Sequence, residues 1–485
     1  MTKFFSKIKS AISFLRDFID TPYFALILVC IELFSHYFGL DLLIICVISF
    51  CLTFVFVFKK NLNCTLMIFF FMSSMISLKN SPANTNPDSN SYFYFQPAVY
   101  ITCIIFASIP VIAITLKAIK NIINKRISLN AFFISTLVLG LFFLTNGLFR
   151  DSYNPLDAMF GVFMFFFFVI LPIATVPFLS LDKKSLVTIS TQIGIYLLVP
   201  ILELFSLYIK FLASGAVLTD RENILFLGWG NRNTLGMLFT ISLPFVLFLT
   251  QEQKSKKFEF VSCLLLFTLI VSIALTFSRQ AYLFSGLFVV FYFFYLLHKN
   301  KRNQIKQHII LVKAFGLFFI VFFLLEGFNA FEILSDFAFS NGRMELWTKS
   351  VEAFLTYPFF GGGFFFYGGD EVVGLYSIMP CSAHNSLFEV LGACGAFGLL
   401  AYLTYRFFSI KSIYSNYSKE KFTILCSFTL FLLISLLDIH LFDFFGTCIY
   451  SVLLAMLVSK KKSAKEELNS DKQNDLLSDC ALTQN

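Results

Sequence analysis

The feature that most constrains this chain is a succession of apolar stretches, each about as long as a bilayer is thick. A helix advances ~1.5 Å per residue, so ~20 apolar residues cross a hydrocarbon core of ~30 Å. An open sheet would leave edge amides unpaired in lipid, so such stretches must be helices. They lie at about 22–40, 41–58, 62–78, 96–116, 129–148, 156–180, 185–209, 234–250, 258–277, 280–297, 308–325, 386–405, 422–437 and 443–459. The sequence therefore predicts an all-α polytopic membrane protein with about 14 transmembrane helices, within a range of about 12 to 14.

The composition agrees with that architecture. Hydrophobic residues make up 58% of the 485 residues and charged residues only 14%, whereas a soluble chain carries about 25% charged residues. The 69 phenylalanines exceed what one soluble core would need. The lipid bilayer thus takes the place of a soluble core, and domain sizes typical of soluble proteins do not apply.

The distribution of cations predicts the orientation. With the N-terminus inside, the inner loops hold 28 of the 37 Lys and Arg residues, the outer loops and helix ends hold 8, and Lys313 lies within a span. This asymmetry follows the positive-inside rule and places both termini in the cytoplasm, an N-in/C-in topology. Because topology explains the net charge of +8, that charge gives no reason to expect nucleic acid as a partner.

Five regions follow from these patterns. Lys residues alternate with Phe and Ile near the N-terminus, which indicates an amphipathic helix lying on the membrane. The C-terminal tail is polar and is expected to be disordered. The regions are a cytoplasmic amphipathic segment 1–21, an N-terminal transmembrane bundle 22–213, a central region 214–405, a C-terminal transmembrane hairpin 406–459 and a cytoplasmic tail 460–485.

The longest external loop, 326–385, contains a second amphipathic helix. Apolar side chains recur at helical spacing at Met344, Trp347, Val351 and Phe354. This spacing predicts a helix over about 342–355, with Arg343 in its first turn. Gly361–Gly363 and Gly368-Gly369 follow as a turn-rich, mobile stretch, and the loop ends at His384. Loops longer than ~15 residues are usually functional or disordered, and the helix would cover a lipid-borne substrate at the membrane surface.

Arginine is concentrated on the predicted outer side. Five of the eight outer cations are Arg, against four of the 28 inner ones. The planar guanidinium binds phosphate or carboxylate with two bonds, so these counts favour an anionic ligand outside. Three inward-running helices begin with polar sequences, which are Asn231-Arg232-Asn233, Ser278-Arg279 and His384-Asn385. Helix N-termini also suit a phosphate. The alternatives are ordinary polar caps and pairing of Arg with lipid headgroups.

No Cys or His spacing fits a metal site, so neither a metal nor another cofactor is expected. Only Cys381 among the 11 cysteines falls in an external loop, and a lone external Cys cannot form an internal disulfide framework.

Several segments together resemble a known family. They are Asn341-Gly342-Arg343-Met344-Glu345-Leu346-Trp347, Tyr357-Pro358-Phe359-Phe360-Gly361-Gly362-Gly363 and Ala383-His384-Asn385-Ser386-Leu387, with Gly392 and Gly395 beyond, and Gly230-Asn231-Arg232-Asn233 and Thr276-Phe277-Ser278-Arg279 upstream. As an ordered set over roughly 215–405, they resemble the C-terminal signature of the O-antigen ligase and polysaccharide polymerase superfamily. The resemblance makes 214–405, with its external loop, the catalytic region.

The resemblance implies a metal-independent, inverting glycosyltransferase of the bacterial cytoplasmic (inner) membrane, with its active site facing outward. The donor would be a glycan on undecaprenyl diphosphate. The acceptor would be another lipid-linked glycan in a polymerase, or a lipid A core in a ligase. Membrane lipids, a flippase and a chain-length regulator would be further partners. The long chain favours the polymerase, which would build O-antigen, capsule or exopolysaccharide.

The resemblance also implies roles for particular residues. Arg221, Arg279 and Arg343 would grip the diphosphate. His384 would act as general base on the acceptor hydroxyl or hydrogen-bond the leaving group, since histidine has an unperturbed pKa near ~6.5. Substrate-binding roles would fall to Asn231, Arg232, Trp347 and Asn385.

Two other classes of function remain open at this stage. A flippase for lipid-linked oligosaccharides would carry cations in a central cavity and have similar halves, whereas the predicted spans hold almost no cation and the halves are dissimilar. A scaffold in a glycan assembly complex would be insensitive to a change at His384.

Overall fold

The fold is described from a computed structural model, which covers residues 2–38, 40–74, 97–151, 154–213, 232–252, 255–298, 305–326, 343–365, 383–438 and 440–460. Within these ranges every regular element is a helix and no strand occurs. The all-α prediction is therefore confirmed.

Within the described residues, each predicted apolar stretch contains a helix. The main helices are Thr2–Phe18, Pro22–Phe38, Asp41–Phe58, Thr65–Ser74, Pro97–Ile123, Ala131–Leu144, Pro155–Phe165, Leu171–Thr175, Lys183–Tyr196, Leu198–Ala213, Arg232–Gln251, Lys256–Leu275, Arg279–His298, Ile305–Glu326, Arg343–Thr356, Ser386–Ser415, Phe422–Ser435 and Phe444–Val458. A π-turn, Phe166–Ile170, and a 3₁₀ turn, Val176–Phe178, extend the predicted span at 156–180.

Length and apolarity identify a polytopic membrane protein. Among the described residues, seven helices are long and apolar enough to cross a membrane, or eight if one bent pair counts as a span. In that pair, Ser6–Phe18 and Pro22–Ser35 meet at 88°, so the predicted amphipathic N-terminal helix turns sharply away from the first apolar helix. Shorter apolar helices add to these at Leu42–Phe58, Ala131–Leu144, Ile309–Val321 and Phe444–Val458. The total of about 14 crossings stays a prediction.

Contacts between the connecting loops show which helix ends lie on the same side of the helical bundle. At one end, Lys59 Nζ lies 2.6 Å from Asp20, Lys117 Nζ donates to the Lys59 carbonyl at 3.0 Å, and Lys183 pairs with Glu252 at 2.8 Å. All of these residues belong to loops or helix ends that the cation pattern assigns to the cytoplasm. The contacts agree with the predicted alternation, while the orientation in the membrane stays a prediction.

The opposite end collects segments that the same alternation assigns to the outside. Tyr357 Oη donates to Asp151 at 3.3 Å, and Arg150 Nη1 donates to the Phe365 carbonyl at 3.3 Å. These bonds attach residues 357–365, which we call the glycine segment, to the connection before the helix Pro155–Phe165. This is the end at which the candidate site lies.

The glycine segment fills a break in the helix Ser386–Ser415. Gly395 leaves the helical conformation, with φ 66° and ψ −165°. Across the break, Gly362 N donates to the Gly392 carbonyl at 2.9 Å and Ala396 N donates to the Pro358 carbonyl at 2.8 Å. The segment therefore satisfies backbone groups that the interrupted helix cannot satisfy itself, as apolar surroundings require.

The glycines predicted to form a mobile stretch are Gly361–Gly363, which the structure describes, and Gly368-Gly369, which lie outside the described residues. The structure shows a different role for the first three. They are buried, and the chain beyond them is held by the N-terminal bundle. Phe365 N donates to Asp157 Oδ1 at 2.9 Å, and Phe364 N donates to Asn146 Oδ1 at 3.2 Å. The glycines allow the backbone of this segment to pack closely against a neighbouring helix. Composition alone cannot distinguish this role from flexibility in a turn, because glycine suits both.

The boundary predicted at 405/406 falls inside a helix, because Ser386–Ser415 continues without interruption there. Arg406, one of the four arginines predicted on the inner side, lies on this helix and donates to Tyr450 Oη at 2.7 Å and to Tyr402 Oη. The C-terminal region is thus continuous with the central one. Most of the predicted tail, 461–485, lies outside the described residues.

Candidate active site

The buried carboxylate of Asp438 contacts polar side chains at the N-terminal ends of three helices. Asp438 lies in the connection between Phe422–Ser435 and Phe444–Val458 and has no exposed surface. His384 Nδ1 lies 2.7 Å from Asp438 Oδ1. Asn233 Nδ2 donates to Asp438 Oδ2 at 2.8 Å and Gln280 Nε2 donates to the same oxygen at 3.2 Å. These bonds hold the carboxylate in a fixed orientation toward the histidine.

The three helices that meet at Asp438 all begin there. They are Arg232–Gln251, Arg279–His298 and Ser386–Ser415. Each N-terminus carries a partial positive charge, so their convergence creates a region suited to an anion. Two of the helices have an arginine as their first residue, which adds to the positive potential.

His384 is held in an unusual backbone conformation. Its φ is 47°, in the left-handed region that non-glycine residues seldom adopt. The next residue, Asn385, secures the turn: its side chain accepts a hydrogen bond from Leu387 N at 2.9 Å and donates to the Leu436 carbonyl at 3.0 Å. Strain maintained in this way is common at functional sites.

The His384–Asp438 contact fixes the tautomer of the imidazole. A carboxylate accepts the Nδ1 proton, and the lone pair of the neutral ring is then on Nε2. The His384 side chain is 32% exposed, whereas Asp438 is fully buried. The arrangement therefore presents a base to solvent with a buried carboxylate behind it, as general-base catalysis requires.

The amphipathic helix Arg343–Thr356, here called the loop helix, is fixed beside this base. Trp347 Nε1 donates to the Ala383 carbonyl at 2.9 Å. The Trp347 ring stacks on Phe388, with centroids 5.2 Å apart. On the other side of the same residue, Ala383 N donates to Glu389 Oε2 at 2.7 Å. The predicted helix over 342–355 is thus confirmed, and Trp347 connects it to the residue preceding His384.

Replacing Trp347 with Phe should keep the ring stack and remove the indole hydrogen bond. A hydrogen bond of this kind contributes about 0.5–1.5 kcal/mol, so we expect the activity of the site to fall about three- to tenfold. The activity of Trp347→Ala, which also loses the ring stack, should fall further. Activity in isolated membranes at matched protein level measures both, with Thr348→Ala on the exposed face of the loop helix as the control. Wild-type activity in Trp347→Ala would contradict a positioning role.

A second histidine lies deeper in the same cluster. The His440 side chain is 1% exposed, and its Nδ1 lies 3.1 Å from Asp443 Oδ2. Its Nε2 lies 3.3 Å from Gln280 Nε2 and 3.8 Å from Asp438 Oδ2. Burial lowers the pKa of His440, but the charge of Asp438 and the hydrogen bond and charge of Asp443 raise it more, so the pKa lies above the ordinary value.

The structure brings together several of the residues predicted from sequence. His384, Asn385 and Trp347 are linked by the contacts above. Arg279 is half-buried and adjoins Gln280, and Arg232 is half-buried and adjoins Asn233. Arg343 begins the loop helix one turn before Trp347, so the two side chains share a helix face. Arg221 and Asn231 lie outside the described residues.

Sequence reasoning missed Asp438, Gln280 and His440. The sequence did contain a signal for Asp438 and His440: together with Asp443, these ionisable residues occur within six residues between two apolar stretches. The same alternation that places His384 outside places this short connection outside too. Gln280 carried no such signal. Within the described ranges, no group of three or more His, Cys, Asp or Glu residues is arranged to hold a metal ion.

Comparison with known proteins adds one finding. Among curated proteins, no sequence matches the chain. A family model described as O-Antigen ligase matches residues 264–403. This segment contains Arg279, the loop helix, the glycine segment and His384. Taken with the apolar helices, the match indicates a multi-pass bacterial membrane protein. Residues 264–403 are thus similar to the O-antigen ligase family, in agreement with the motifs.

Proposed function

We propose that this protein transfers a glycan from undecaprenyl diphosphate to an acceptor hydroxyl, and that it polymerises lipid-linked repeat units at the outer face of the cytoplasmic membrane. The observation that carries the proposal is the His384–Asp438 pair, 2.7 Å apart, at the meeting point of three helix N-termini. A base beside an anion-binding region is the combination that transfer from a diphosphate carrier requires. The O-antigen ligase match over 264–403 supports the same class of enzyme.

The proposed reaction is a single displacement. His384 Nε2 accepts the proton of the acceptor hydroxyl as the hydroxyl oxygen attacks the anomeric carbon of the donor sugar. The bond from that carbon to the diphosphate oxygen breaks, and its electron pair leaves with undecaprenyl diphosphate. Asp438 stabilises the imidazolium and maintains its orientation. Attack opposite the leaving group inverts the anomeric configuration.

Stabilisation of the leaving diphosphate falls to positive groups of the chain in this proposal. The helices Arg232–Gln251 and Arg279–His298 begin near His384, because Asn233 and Gln280 in their first turns bond the Asp438 carboxylate that His384 contacts. The guanidinium groups of Arg279 and Arg343, together with Arg221, would bind the phosphate oxygens in the role that a metal ion has in other phosphate-transfer enzymes. Asn231, Arg232 and Asn385 would position the sugars.

A ligase is the second candidate, and the description of the matching family favours it. In a ligase the acceptor would be a lipid A core instead of a second lipid-linked glycan. The length of the chain and its about fourteen apolar stretches favour the polymerase, because long polytopic chains resemble that branch. A flippase and a chain-length regulator would be the partners of a polymerase.

The test uses a strain that lacks the gene, complemented with wild type, His384→Ala, Arg343→Ala or the control Lys349→Ala. Lys349 lies on the loop helix and pairs with Glu345 at 3.1 Å on its exposed side. Surface polysaccharide is resolved by gel and the membrane level of each variant is measured. Losing the base or a diphosphate contact should cost about a hundredfold or more in rate.

The gel distinguishes the candidates. A polymerase predicts long polymer with wild type and Lys349→Ala, and a single repeat unit with the other two variants. If the His384→Ala and Arg343→Ala strains make polymer that stays unattached to its cellular acceptor, the protein is a ligase. Normal polymer from both His384→Ala and Arg343→Ala would contradict the proposed site and favour a flippase or a scaffold.

A further inference from the structure

His440 is a buried titratable side chain that the displacement step does not use. Its Nε2 lies 3.8 Å from Asp438 Oδ2, whereas His384 contacts the other oxygen, Oδ1, of the same carboxylate. Gln280 contacts both His440 and Asp438. The described contacts form a chain that runs from Asp443 through His440 and Gln280 to Asp438 and His384, with separations of 3.1, 3.3, 3.2 and 2.7 Å. Each step connects groups able to exchange a hydrogen bond.

The donors in this chain suit one tautomer of a neutral His440. Gln280 Nε2 is an amide nitrogen and can only donate, and it does so to Asp438 Oδ2. Its second hydrogen is available to His440 Nε2, 3.3 Å away, when that ring nitrogen carries no proton. The single proton of a neutral His440 is then on Nδ1, where Asp443 accepts it.

A second proton on His440 would disturb this arrangement. It would place an N–H group against the N–H group of Gln280. Gln280 Oε1 is buried and has no hydrogen-bond partner among the described residues, so it is the acceptor that a rotated amide would offer. Protonation would also bring a positive charge to His440 Nε2, 3.8 Å from Asp438 Oδ2. The state of His440 is therefore coupled to the carboxylate that His384 contacts.

We propose that His440 is a positioning residue that controls, through Gln280 and Asp438, how tightly His384 holds its proton. The consequence for catalysis rests on the proposed function, whereas the coupling itself does not. In this buried His–Gln–Asp–His chain, the proton affinity of His384 would change when His440 gains or loses a proton. A single His–Asp pair has no second titratable group to cause such a change.

The direction of the coupling follows from the charges. A neutral His440 leaves the full negative charge of Asp438 to stabilise a protonated His384. A protonated His440 offsets part of that charge, so His384 releases its proton at lower pH. The added charge outweighs the loss of one neutral hydrogen bond from Gln280. The raised pKa of His440 extends its protonated form toward neutral pH.

The groups around His440 are few in the described structure. The carboxylates of Asp438 and Asp443 face its ring, and His384 lies beyond Asp438. Gln280 contacts it from the helix Arg279–His298 and has Arg279 beside it in sequence. From the helix Arg232–Gln251, Asn233 reaches the same Asp438 oxygen and has Arg232 beside it. On the helix Phe444–Val458, Cys448 is coupled to Asp443.

The test measures His384 directly in the purified full-length protein. Diethylpyrocarbonate acylates the neutral imidazole, so the rate of modification of the His384 peptide, followed by mass spectrometry across pH, gives the midpoint at which His384 loses its proton. His440→Gln retains hydrogen-bonding capacity but cannot become charged. We expect this variant to raise the His384 midpoint by about one pH unit. His298→Gln, at the far end of Arg279–His298, should leave it unchanged.

A second variant keeps the proposal testable if His440→Gln does not fold. Asp443→Asn removes the charge that favours protonation of His440, and Asn retains the N-cap role of Asp443 for the last helix. The His384 midpoint should again rise. An unchanged midpoint in either folded variant would overturn the proposal and leave His440 with a structural role alone.

Transferase assays separate this inference from the proposed function. If purified wild type transfers lipid-linked glycan, the acid side of its pH–rate profile should move upward in His440→Gln together with the diethylpyrocarbonate midpoint. If the midpoint moves but wild type transfers no glycan from any diphosphate carrier, the coupling stands and the proposed function fails.

Discussion

Asp438→Asn is expected to reduce glycan transfer about 10²- to 10⁴-fold with little effect on the amount of protein in the membrane. Asn has nearly the shape of Asp but carries no charge, so it cannot stabilise the imidazolium that forms on His384. If its amide nitrogen faces His384, Nδ1 must accept a hydrogen bond. The ring proton then moves to Nε2, the position that has to accept the proton of the acceptor hydroxyl.

The measurement is the initial rate of transfer by purified protein at matched concentration, with thermal unfolding as a check on folding. Asp151→Asn is the matched control, because Asp151 is an exposed carboxylate at the same end of the bundle and contacts Tyr357 at 3.3 Å. It should retain most of the wild-type rate. An Asp438→Asn variant that keeps more than a third of the wild-type rate would contradict the proposed role of the carboxylate.

Gly361→Ala and Gly395→Ala should have the largest effects on stability. A Cβ at Gly361 would overlap the carbonyl of Ala393, and a Cβ at Gly395 would lie 2.6 Å from the Phe359 carbonyl carbon. Both glycines also have positive φ, at 76° and 66°. Overpacking and left-handed strain together should destabilise each variant by about 2–4 kcal/mol. The glycine segment would then separate from the broken helix.

Two other glycines provide a control of the same chemistry. A Cβ at Gly286 or Gly316 would meet nothing within 4 Å, and both residues lie inside helices. Gly→Ala at these positions should be neutral or stabilising by up to about 1 kcal/mol. Thermal unfolding in detergent compares the four variants. Equal unfolding temperatures for Gly361→Ala and Gly286→Ala would show that the described packing of the glycine segment is wrong.

The helical architecture was predictable because it depends on local hydropathy. A stretch of apolar residues must form a helix wherever it meets lipid, so the positions of the helices followed from composition along the chain. The loop helix was predictable for a similar reason, since the spacing of Met344, Trp347, Val351 and Phe354 is a property of one segment. The structure gives its bounds as Arg343–Thr356.

The break at Gly395 was not predictable from hydropathy. The break depends on backbone hydrogen bonds between the glycine segment and the helix about thirty residues later in the chain. Both segments contain glycines, and turn flexibility is the simpler interpretation of a glycine in a sequence. A continuous apolar pattern across Gly395 predicted one straight span. The interruption forms because the glycine segment supplies the missing backbone partners, including Gly362 N to the Gly392 carbonyl at 2.9 Å.

The site was predictable in part. His384, Asn385 and Trp347 were identified from the family resemblance, and the structure connects them. Asp438 was not identified, because it is more than fifty residues from His384 and the resemblance ended near 405. Its partners Asn233 and Gln280 come from two further helices. A site assembled from the beginnings of separate helices leaves little trace in any one segment of sequence.

The measurement that tests the central claim most directly compares wild type with His384→Asn in vesicles that contain an undecaprenyl diphosphate-linked glycan and its acceptor. The Asn amide nitrogen can replace Nδ1 in the bond to Asp438, but the side chain has no counterpart of Nε2. If His384 is the base, transfer should fall at least about a hundredfold while the unfolding temperature is retained. A rate within about twofold of wild type would contradict general-base catalysis by His384.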